Sequence, residues 1–343
     1  MRTPLALLFL ILALKVNPQN SMRVMFWNVE NLFDCIDDPE KEDDEFLPSS
    51  PRHWTFFRYR QKLINVSKVI MAVGEGEIPA LVGMCEVEND TVMEDLLRLT
   101  PLGKLGYRYY ITASPDRRGI NVALLYKRDR FRPLSRNDIR IEMPGKRRPT
   151  RDILHITGLI PSLDTLDLFI CHFPSRSGGE KESRPARNAA KKRLREVINR
   201  VHNIRSKPLS IIMGDLNDYP ETLDLSGDLE LSTLVDKPVD NFLINLVNDN
   251  LYALMQLLPK NEKGSHKYDG SWGYLDHFIV NGTLLNQNIS PSIRNWGLFS
   301  APFLLTDDTK HFGKRPKRTF YGYRYEGGYS DHLPIKTDIW WEE

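Results

Sequence analysis

The sequence predicts an α+β fold in which two packed β-sheets, mixed or largely antiparallel, are flanked by helices. Short apolar runs recur along the chain, are rich in Val, Ile, Leu and aromatic residues, and end in turn or polar residues. Such runs are typical of strands covered on at least one face. Several follow one another without an intervening helix, in 107–127 and 152–173. This order favours packed sheets over a doubly wound parallel sheet, which alternates strands and helices.

The strand pattern occurs in seven clear segments. They are RVMFWNV (23–29), ALVGMCEV (80–87), NVALLYK (121–127), LDLFICHF (166–173), LSIIMGD (209–215), LDHFIV (275–280) and LPIKTDIWW (333–341).

Helices are predicted between some of the strands, where apolar residues repeat at helical spacing. The repeats are Leu63, Val66, Ile70 and Val73 in one segment and Ala190, Leu194, Val197, Val201 and Ile204 in another. Thr91 and Glu94 have the spacing of a capping box before a third helix.

Residues 22–343 are predicted to form one domain, since no linker or low-complexity tract divides the 343-residue chain. Residues 36–53 are acidic, contain proline and are typical of a loop. Residues 221–265 contain a leucine-rich stretch, 241–259, which we interpret as a helical insertion packed on the core.

The first residues, 1–21, are predicted to be a signal peptide. Arg2 precedes an apolar run, 5–14, that is too short to span a bilayer of about 30 Å as a helix. An N-terminal core helix or a membrane-tethering anchor is the alternative. We therefore expect an exported protein, either periplasmic or extracellular, without stable membrane insertion after processing.

Composition narrows the functional classes. Hydrophobic residues make up 41% and charged residues 27% of the chain, and the formal net charge is +2. Such a charge excludes a strongly basic nucleic-acid-binding protein. Basic clusters remain at 146–151, 184–200 and 314–318. Each is either a solvated surface or a phosphate-binding patch.

Polar residues with oxygen or imidazole donors recur where the predicted strands end or begin. They are Asn28 and Glu30, Glu86 and Glu88, His172, Asp215 and Asn217, Asp276, and Asp331 with His332. One such residue is usually a turn or cap residue. If all converge, their carboxylates would repel one another unless a cation were bound. Oxygen ligands of this kind suit Mg²⁺, with Mn²⁺ or Ca²⁺ as alternatives.

Six motifs together resemble the exonuclease-endonuclease-phosphatase superfamily. In chain order they are NVENLFD, EVEND, HFPSRSGG, GDLND, YLDHFIV and YSDHLPI, spread over residues 22–343. The superfamily includes abasic-site endonucleases, pancreatic-type deoxyribonucleases, sphingomyelinases and inositol-polyphosphate phosphatases. The resemblance implies a four-layer sandwich of two mixed sheets between helical layers, and a metal-dependent phosphoesterase activity.

The resemblance also implies a metal site. Glu86 would be the principal ligand with Asn28 beside it, and Asp331 would complete the metal shell. Asp215 would position and deprotonate the attacking water, and Asn217 would hold the phosphate or the nucleophile.

Two histidines would contact the phosphate by the same resemblance. His332 would be oriented by the Asp276 carboxylate, and His172 would be a second phosphate-binding histidine. Such a pair of carboxylate and histidine fixes a tautomer and favours an imidazolium. The inositol-phosphatase branch has an Arg directly after the Asp of this pair, whereas His277 follows Asp276 here. The motif is therefore closer to the nuclease-like members.

Strand alternation predicts the direction of two cysteines. If Glu86 and His172 face the site, Cys85 and Cys171 should point the other way as inert thiols. Asp218 lies opposite Asn217 in the same alternation. We interpret it as a cap of the following turn and not as a ligand.

The sequence thus favours an exported phosphoesterase that depends on a divalent metal, most simply an endonuclease that cleaves phosphodiester bonds of nucleic acid. One alternative is a phosphatase or phosphodiesterase of the same fold that acts on a lipid, inositol or other small phosphate. The other is a binding module without catalysis, which the complete set of expected catalytic positions disfavours.

Overall fold

A computed structural model describes residues 20–219, 246–258 and 263–342. The predicted signal peptide, except for its last two residues, and most of the 221–265 insertion lie outside the described residues.

Strands dominate the described part of the chain. In chain order they are β1 (Ser21–Leu32), β2 (Leu81–Val87), β3 (Tyr107–Ile111), β4 (Asn121–Lys127), β5 (Arg132–Ile139), β6 (Ile153–Leu159), β7 (Thr165–His172), β8 (Ser210–Asp215), β9 (Leu251–Ala253), β10 (His266–Tyr268), β11 (Ser271–Gly273), β12 (Asp276–Asn281), β13 (Ser292–Leu298), β14 (Leu305–Asp307), β15 (Lys314–Pro316), β16 (Phe320–Tyr321), β17 (Arg324–Tyr325) and β18 (Ile335–Trp340).

The helices are fewer. The α-helices are α1 (Phe56–Val73), α2 (Asp90–Arg98), α3 (Glu180–Ile204) and the single turn α4 (Gly282–Leu285). Short 3-10 helices lie at Asp44–Phe46, Pro101–Leu105, Leu254–Leu257 and Pro302–Leu304. None of the helices in the described ranges is long and apolar enough to cross a membrane.

Two six-stranded sheets form the centre of the fold. The first has the order β13, β18, β1, β2, β4, β3, and the second has the order β5, β6, β7, β8, β12, β9. Within them β1 pairs parallel with β2 and β7 pairs parallel with β8, whereas the other neighbours are antiparallel. The prediction of mixed sheets is confirmed, and all seven predicted segments contain a strand.

Three apolar clusters join the layers. One lies between the sheets and joins residues such as Phe26, Leu124 and Met213. The second covers the other face of the first sheet with α1 and α2, and the third covers the other face of the second sheet with α3. The resulting order of helix, sheet, sheet and helix is the predicted four-layer sandwich.

The helix predictions hold with two local corrections. The four apolar residues of α1 are fully buried, but Ile204, the last residue of α3, is 74% exposed. Helix α2 begins before the predicted capping box. Its N-cap is Asn89, whose side chain accepts a hydrogen bond from the Val92 amide at 2.9 Å.

The prediction for the acidic loop, residues 36–53, is confirmed, whereas the prediction of a helix in the insertion is wrong for its described residues. Residues 36–53 form the predicted loop with one short 3-10 turn. In the stretch 241–259, the described residues form β9 and a 3-10 helix instead of an α-helix. Strand β9 pairs with β12, so edge pairing with the sheet overrides the local helical pattern.

Candidate active site

The ends of five strands and one loop meet at one end of the sandwich. Asn28 is paired in register with Cys85 in the first sheet, and Asp215 is paired with both His172 and Asp276 in the second. His332 precedes β18 and lies within reach of Asp215. The fold therefore brings together the residues that the sequence placed at separate strand ends.

Glu86 reaches the site through a β-bulge at the end of β2. The register between β2 and β4 shifts between Cys85 and Val87, and Glu86 has a φ of 61°. Its Oε2 accepts a hydrogen bond from the Asn31 amide at 2.9 Å. Regular alternation along β2 places Leu81 and Cys85 in the cluster between the sheets, near His172 and Asp215, and the bulge turns Glu86 towards the same site. The predicted outward direction is therefore wrong for Cys85.

Cys171 follows the prediction, since it packs on the opposite face of the second sheet with the residues of α3. Burial raises the pKa of both Cys85 and Cys171. Both thiols remain protonated, which fits the inert role predicted for them.

Asn28 holds the two nearest carboxylates together. Its Nδ2 lies 3.3 Å from Glu86 Oε1 and 3.0 Å from Asp215 Oδ2. Its Oδ1 accepts a hydrogen bond from the Glu30 amide at 3.0 Å. In this arrangement Asn28 acts as a donor between the carboxylates, and its role as a metal ligand stays a prediction.

Asp215 is almost completely buried at the centre of the site. Its Oδ1 accepts a hydrogen bond from the Asn217 amide at 3.0 Å, which leaves Oδ2 to face Asn28 and the two histidines. Burial raises the pKa of Asp215; the charge of His332 opposes this shift and the Asp276 carboxylate adds to it. A carboxyl group with a raised pKa is suited to accept a proton from water.

Asn217 follows in a left-handed backbone conformation, with a φ of 51°. Asparagine tolerates this conformation better than most residues. Its Nδ2 donates to the Phe173 carbonyl at 3.0 Å, so the side chain fastens the loop after β8 to the end of β7. Its predicted contact with phosphate or nucleophile stays a prediction.

His332 forms a buried pair with Asp276. The distance from His332 Nδ1 to Asp276 Oδ2 is 2.7 Å, and Nε2 lies 3.9 Å from Asp215 Oδ2. Burial disfavours the imidazolium, but the charge and hydrogen bond of Asp276 outweigh it and raise the pKa of His332 well above its ordinary range. The Trp27 indole donates to the His332 carbonyl at 2.9 Å and fixes the backbone.

His172 lies across the site with its Nε2 3.9 Å from Glu86 Oε1 and 3.8 Å from Asp215 Oδ2. Burial lowers the pKa of His172 far below its ordinary value, and the charges of Arg151 and Arg118 contribute. The imidazole is therefore neutral. It is suited to donate a hydrogen bond rather than to supply a charge.

Asp331 forms an ion pair with Arg318, which the sequence analysis named only as part of a basic cluster. Arg318 donates to Asp331 Oδ2 at 2.8 Å and to Glu30 Oε1 at 3.0 Å. Burial favours the neutral acid, but the Arg318 charge outweighs it and lowers the pKa of Asp331. This pairing reduces the negative charge that Asp331 can offer a metal, and its ligand role stays a prediction.

Asp218 turns away from these groups and binds helix α3. Its carboxylate oxygens lie 2.9 Å from Arg187 Nε and 2.5 Å from Lys191 Nζ. His277 contacts the Asp218 carbonyl at 2.8 Å. In the described residues the Asp218 carboxylate thus joins the loop after β8, residues 216–219 and called the catalytic loop below, to α3, which is a different role from the predicted turn cap.

The donor set around Asp215 fits a hard divalent cation. Glu86 and Asp215 direct two carboxylate oxygens at the same Asn28 amide. Within the described ranges, three groups place their potential ligand atoms within 4.8 Å of one another: Cys85, His172 and Asp215; Asp215, Asp276 and His332; and His266, Asp331 and His332. Glu86 is outside these groups but adjoins the first through His172. Carboxylate oxygens are the donors that Mg²⁺, Mn²⁺ and Ca²⁺ prefer.

Two further side chains belong to the site although their sequence context gave no specific signal. His266 packs against His332 with ring centroids 4.7 Å apart. Arg151 donates to the Phe173 carbonyl at 2.7 Å, next to the Asn217 contact. Arg151 and Arg318 belong to the basic clusters at 146–151 and 314–318, but nothing in the sequence distinguished them from the other cations of those clusters.

Comparison with known proteins assigns the family. The profile of the Endonuclease/Exonuclease/phosphatase family matches residues 23–340. The chain belongs to this family, whose members are metal-dependent phosphoesterases. It is therefore a metal-dependent phosphoric-ester hydrolase. No curated protein sequence matches the chain at a significant level.

Solved structures share the fold at low sequence identity. Truncated TDP2 from Caenorhabditis elegans has a TM-score of 0.56 and 15% identity, over 93% of this chain and 97% of that one. The human Nocturnin catalytic domain has a TM-score of 0.54 and 16% identity, over 95% and 97%. A Bacteroides thetaiotaomicron mannosyl-6-phosphatase has a TM-score of 0.54 and 14% identity, over 93% and 99%.

The arrangement supports in-line hydrolysis of a phosphoric ester. A divalent cation held by the carboxylates of the site would supply positive charge to the phosphoryl oxygens. Among the side chains, Asp215 is placed to orient water and accept its proton. The His332 imidazolium, held by Asp276, is placed to stabilise negative charge that develops on phosphate. Neutral His172 is placed to donate a hydrogen bond from the opposite side.

Proposed function

We propose that the protein is an exported endonuclease that depends on Mg²⁺ and hydrolyses phosphodiester bonds of nucleic acid with a water activated by Asp215. The observation that carries the proposal is the position of Asp215 between Asn28, His172 and His332, with Glu86 beside it. This geometry supports the proposal because phosphoryl transfer needs a base, a metal-binding carboxylate and contacts to the phosphate.

The placement of the basic clusters supports a polyanionic substrate. Residues of the 146–151 cluster line a cavity of about 450 Å³ that also includes Pro174 and Ser175, directly after His172 and Phe173. Arg315 and Arg318 of the 314–318 cluster line a second cavity of about 250 Å³ beside Asp331. Phosphate contacts from Lys and Arg on both sides of a site suit an extended nucleic acid.

The third cluster does not contribute in the same way. In α3, Arg187 and Lys191 are buried and paired with Asp218, behind the site. Arg184 and Arg193 pair with glutamates of their own helix. These basic side chains of α3 stabilise the loop after β8 and are not part of the proposed substrate surface.

A phosphatase or phosphodiesterase acting on a lipid, inositol or other small phosphate is the second candidate. It is favoured by the pairing of the cations beside Asp331. Arg318 binds Glu30 and Asp331, Arg315 binds Glu326, and Lys267 binds Asp308. Because these charges are largely neutralised, that side of the site holds fewer free cations than an extended polyanion would use.

One substrate panel separates the candidates. The purified mature protein is incubated with supercoiled plasmid, an abasic oligonucleotide, and phospholipid and inositol phosphates, with Mg²⁺ or with a chelator. We expect chelator-sensitive nicking of plasmid and cleavage of the oligonucleotide. Phosphate release only from the small phosphates would favour the second candidate, and no chelator-sensitive reaction with any substrate would refute both.

Replacing Mg²⁺ by Mn²⁺ or Ca²⁺ in the same assay identifies the metal. We expect Mg²⁺ to support the highest rate, because Mg²⁺ is usually bound through one or two carboxylates and substrate phosphates, whereas Ca²⁺ takes six to eight oxygen ligands. A higher rate with Ca²⁺ would refute the assignment of Mg²⁺.

Export is proposed from the apolar run at 5–14, which follows Arg2. Expression of the whole chain followed by cell fractionation and N-terminal sequencing tests it. We expect a shortened chain in the periplasmic or extracellular fraction. An intact N-terminus in the cytosolic fraction would refute export.

A further inference from the structure

A cavity beside His172 has the properties of an anion site, and we call it the anion pocket. Its volume is about 450 Å³. It lies between the segment 143–151, the loop 174–177 and the first turns of α3. The charged side chains that line it are Lys146, Arg147, Arg148 and Arg151, with Asp116 and Glu182.

The anion pocket carries an excess of positive charge. Arg148 pairs with Glu42 at 2.9 Å, outside the lining, and Arg151 pairs with Asp116 at 3.3 Å. In the ranges that the structure describes, Lys146 and Arg147 have no carboxylate within 4.0 Å, and both are exposed. Glu182 opposes them with one negative charge. Two exposed cations without a carboxylate partner in the described part of the chain therefore line the pocket.

Polar groups of the pocket wall also lack partners. Thr150 is 3% exposed and Arg151 is 7% exposed. Thr150 Oγ1 and Arg151 Nε have no hydrogen-bond partner among the described residues. Leaving a buried donor unpaired is unfavourable. An anion that enters the pocket would supply acceptors close to these groups.

The anion pocket adjoins the catalytic centre through shared backbone. Arg151 donates to the Phe173 carbonyl at 2.7 Å, and Asn217 donates to the same carbonyl at 3.0 Å. Pro174 lines the pocket and follows His172 by two residues, which limits their Cα separation to roughly 7 Å. A substrate held at Asp215 and His172 could therefore extend directly into the pocket.

We propose that the anion pocket binds a second phosphate group of the substrate, adjoining the phosphate that is hydrolysed at Asp215. This inference rests on the proposed function, since it presumes a phosphoric ester at the catalytic centre. The second phosphate comes either from the backbone of a nucleic acid or from another position of a small molecule with several phosphates. In both cases Lys146 and Arg147 provide the charge that selects it.

The test compares substrates with and without a second phosphate. The pocket variant is Lys146→Ala with Arg147→Ala. The control variant is Lys104→Ala with Arg108→Ala, which removes the same charge from exposed residues at the far end of the first sheet. The substrates are a single-stranded oligonucleotide and bis(p-nitrophenyl) phosphate, which has one phosphate only.

We expect the pocket variant to raise KM for the oligonucleotide about tenfold. Binding of the oligonucleotide should also depend less on salt, because each lost phosphate contact reduces the slope of log affinity against log salt concentration by about one. For the pocket variant, kcat with either substrate and KM for bis(p-nitrophenyl) phosphate should stay within about twofold of wild type. For the control variant, kcat and KM with both substrates should stay within the same range. Equal changes for both substrates, or no change beyond that of the control, would overturn the inference.

Equilibrium binding in the presence of chelator separates this inference from the proposed function. The ligands are the oligonucleotide and an inositol bisphosphate with the matching monophosphate. If the enzyme does not cleave nucleic acid, the proposed endonuclease activity is refuted. The anion pocket still predicts that the pocket variant loses about tenfold in affinity for the bisphosphate and keeps its affinity for the monophosphate. Unchanged affinity for both the oligonucleotide and the bisphosphate refutes the anion pocket.

Discussion

The two histidines of the site have different charge states because their neighbours differ. His332 contacts the Asp276 carboxylate at 2.7 Å, and the pKa of His332 is raised well above its ordinary range. His172 is buried near Arg151 and Arg118, and the pKa of His172 is lowered. One histidine can therefore balance developing negative charge while the other acts as a neutral donor.

Asp276→Asn should remove the charge that keeps His332 protonated. Since the pKa of His332 would fall, the fraction of imidazolium at neutral and alkaline pH would fall with it. We expect kcat to drop by roughly 10²-fold and the loss of activity to begin at lower pH than in wild type. An NMR titration of the His332 ring and a pH–rate profile measure both effects. An unchanged ring titration would contradict the pairing.

Asp215→Asn should abolish proton acceptance with little change in shape. General-base contributions are about 10²–10⁴-fold, so we expect kcat to fall by at least 10²-fold. Circular dichroism and the unfolding midpoint should stay close to wild type. A variant that keeps more than about a tenth of the wild-type rate would show that Asp215 is not the base.

At the scale of elements, helix α3 supports the catalytic loop from behind. Arg187 is completely buried and Lys191 nearly so, and both bind Asp218, three residues after Asp215. Removing one partner of a buried pair leaves uncompensated charge, which costs about 3–5 kcal/mol. The loop after β8 therefore depends on α3 for its position.

Asp218→Asn should weaken this support. We expect the free energy of unfolding to fall by about 3 kcal/mol in urea titrations, with a decrease in kcat because Asp215 and Asn217 lose their fixed position. Glu196→Gln is the matched control, since Glu196 forms an exposed pair with Arg193 on the same helix. That control should change stability by less than about 1 kcal/mol. Equal effects of the two variants would refute the role of Asp218.

A second ionic contact joins β6, β7 and the end of α3. Asp167 is fully buried and binds His155 at 2.9 Å, Thr157 at 2.5 Å and Arg205 at 2.9 Å. Burial alone would raise the pKa of Asp167, but these hydrogen bonds outweigh it and lower the pKa to about 2. The folded state thus binds the Asp167 proton less readily than the unfolded chain, whose pKa is about 3.9.

The resulting pH dependence has a definite sign. Because the folded pKa lies below the unfolded one, this stabilisation is present above about pH 4 and is lost as the pH falls towards 2. The shift corresponds to roughly 2–3 kcal/mol. We expect Asp167→Asn to flatten the decline of stability over that range in urea titrations, whereas Asp129→Asn, at an exposed residue, should not. The same acid dependence in Asp167→Asn and wild type would contradict this account.

At the scale of the whole molecule, metal binding should stabilise the fold, since the candidate ligands come from both sheets. A ligand at 100 times its Kd adds about 2.7 kcal/mol to the free energy of unfolding. We expect saturating Mg²⁺ to raise Tm by about 5 °C in wild type. Glu86→Gln should reduce this shift, whereas Glu94→Gln on α2 should retain it. A full shift in Glu86→Gln would remove Glu86 from the ligand set.

Much of the architecture was predictable because local patterns and burial agree. The seven strand segments and the main helices α1 and α3 have apolar periodicity that matches their final environment. The predictions failed where tertiary contacts decide local structure. Strand β9 forms by pairing with β12, and the last residue of α3, Ile204, is exposed although it continues the apolar repeat of the helix.

The candidate site, too, could be predicted only in part. The sequence placed Asn28, Glu86, His172, Asp215 and His332 at strand ends, and parallel neighbours such as β7 and β8 bring such ends together. The sequence could not predict that Arg318 binds both Glu30 and Asp331, because Arg318 and Glu30 are 288 positions apart in the chain. Nor could alternation reveal the bulge at Glu86.

By itself, then, the sequence determined the sandwich of two mixed sheets and the types of side chain at the strand ends, because apolar periodicity and residue chemistry are local properties. Only the tertiary structure decided which charges pair, which direction Cys85 takes, and which histidine carries the proton. Those properties depend on the distance, burial and mutual orientation of groups from different strands, and these exist only after the two sheets have packed.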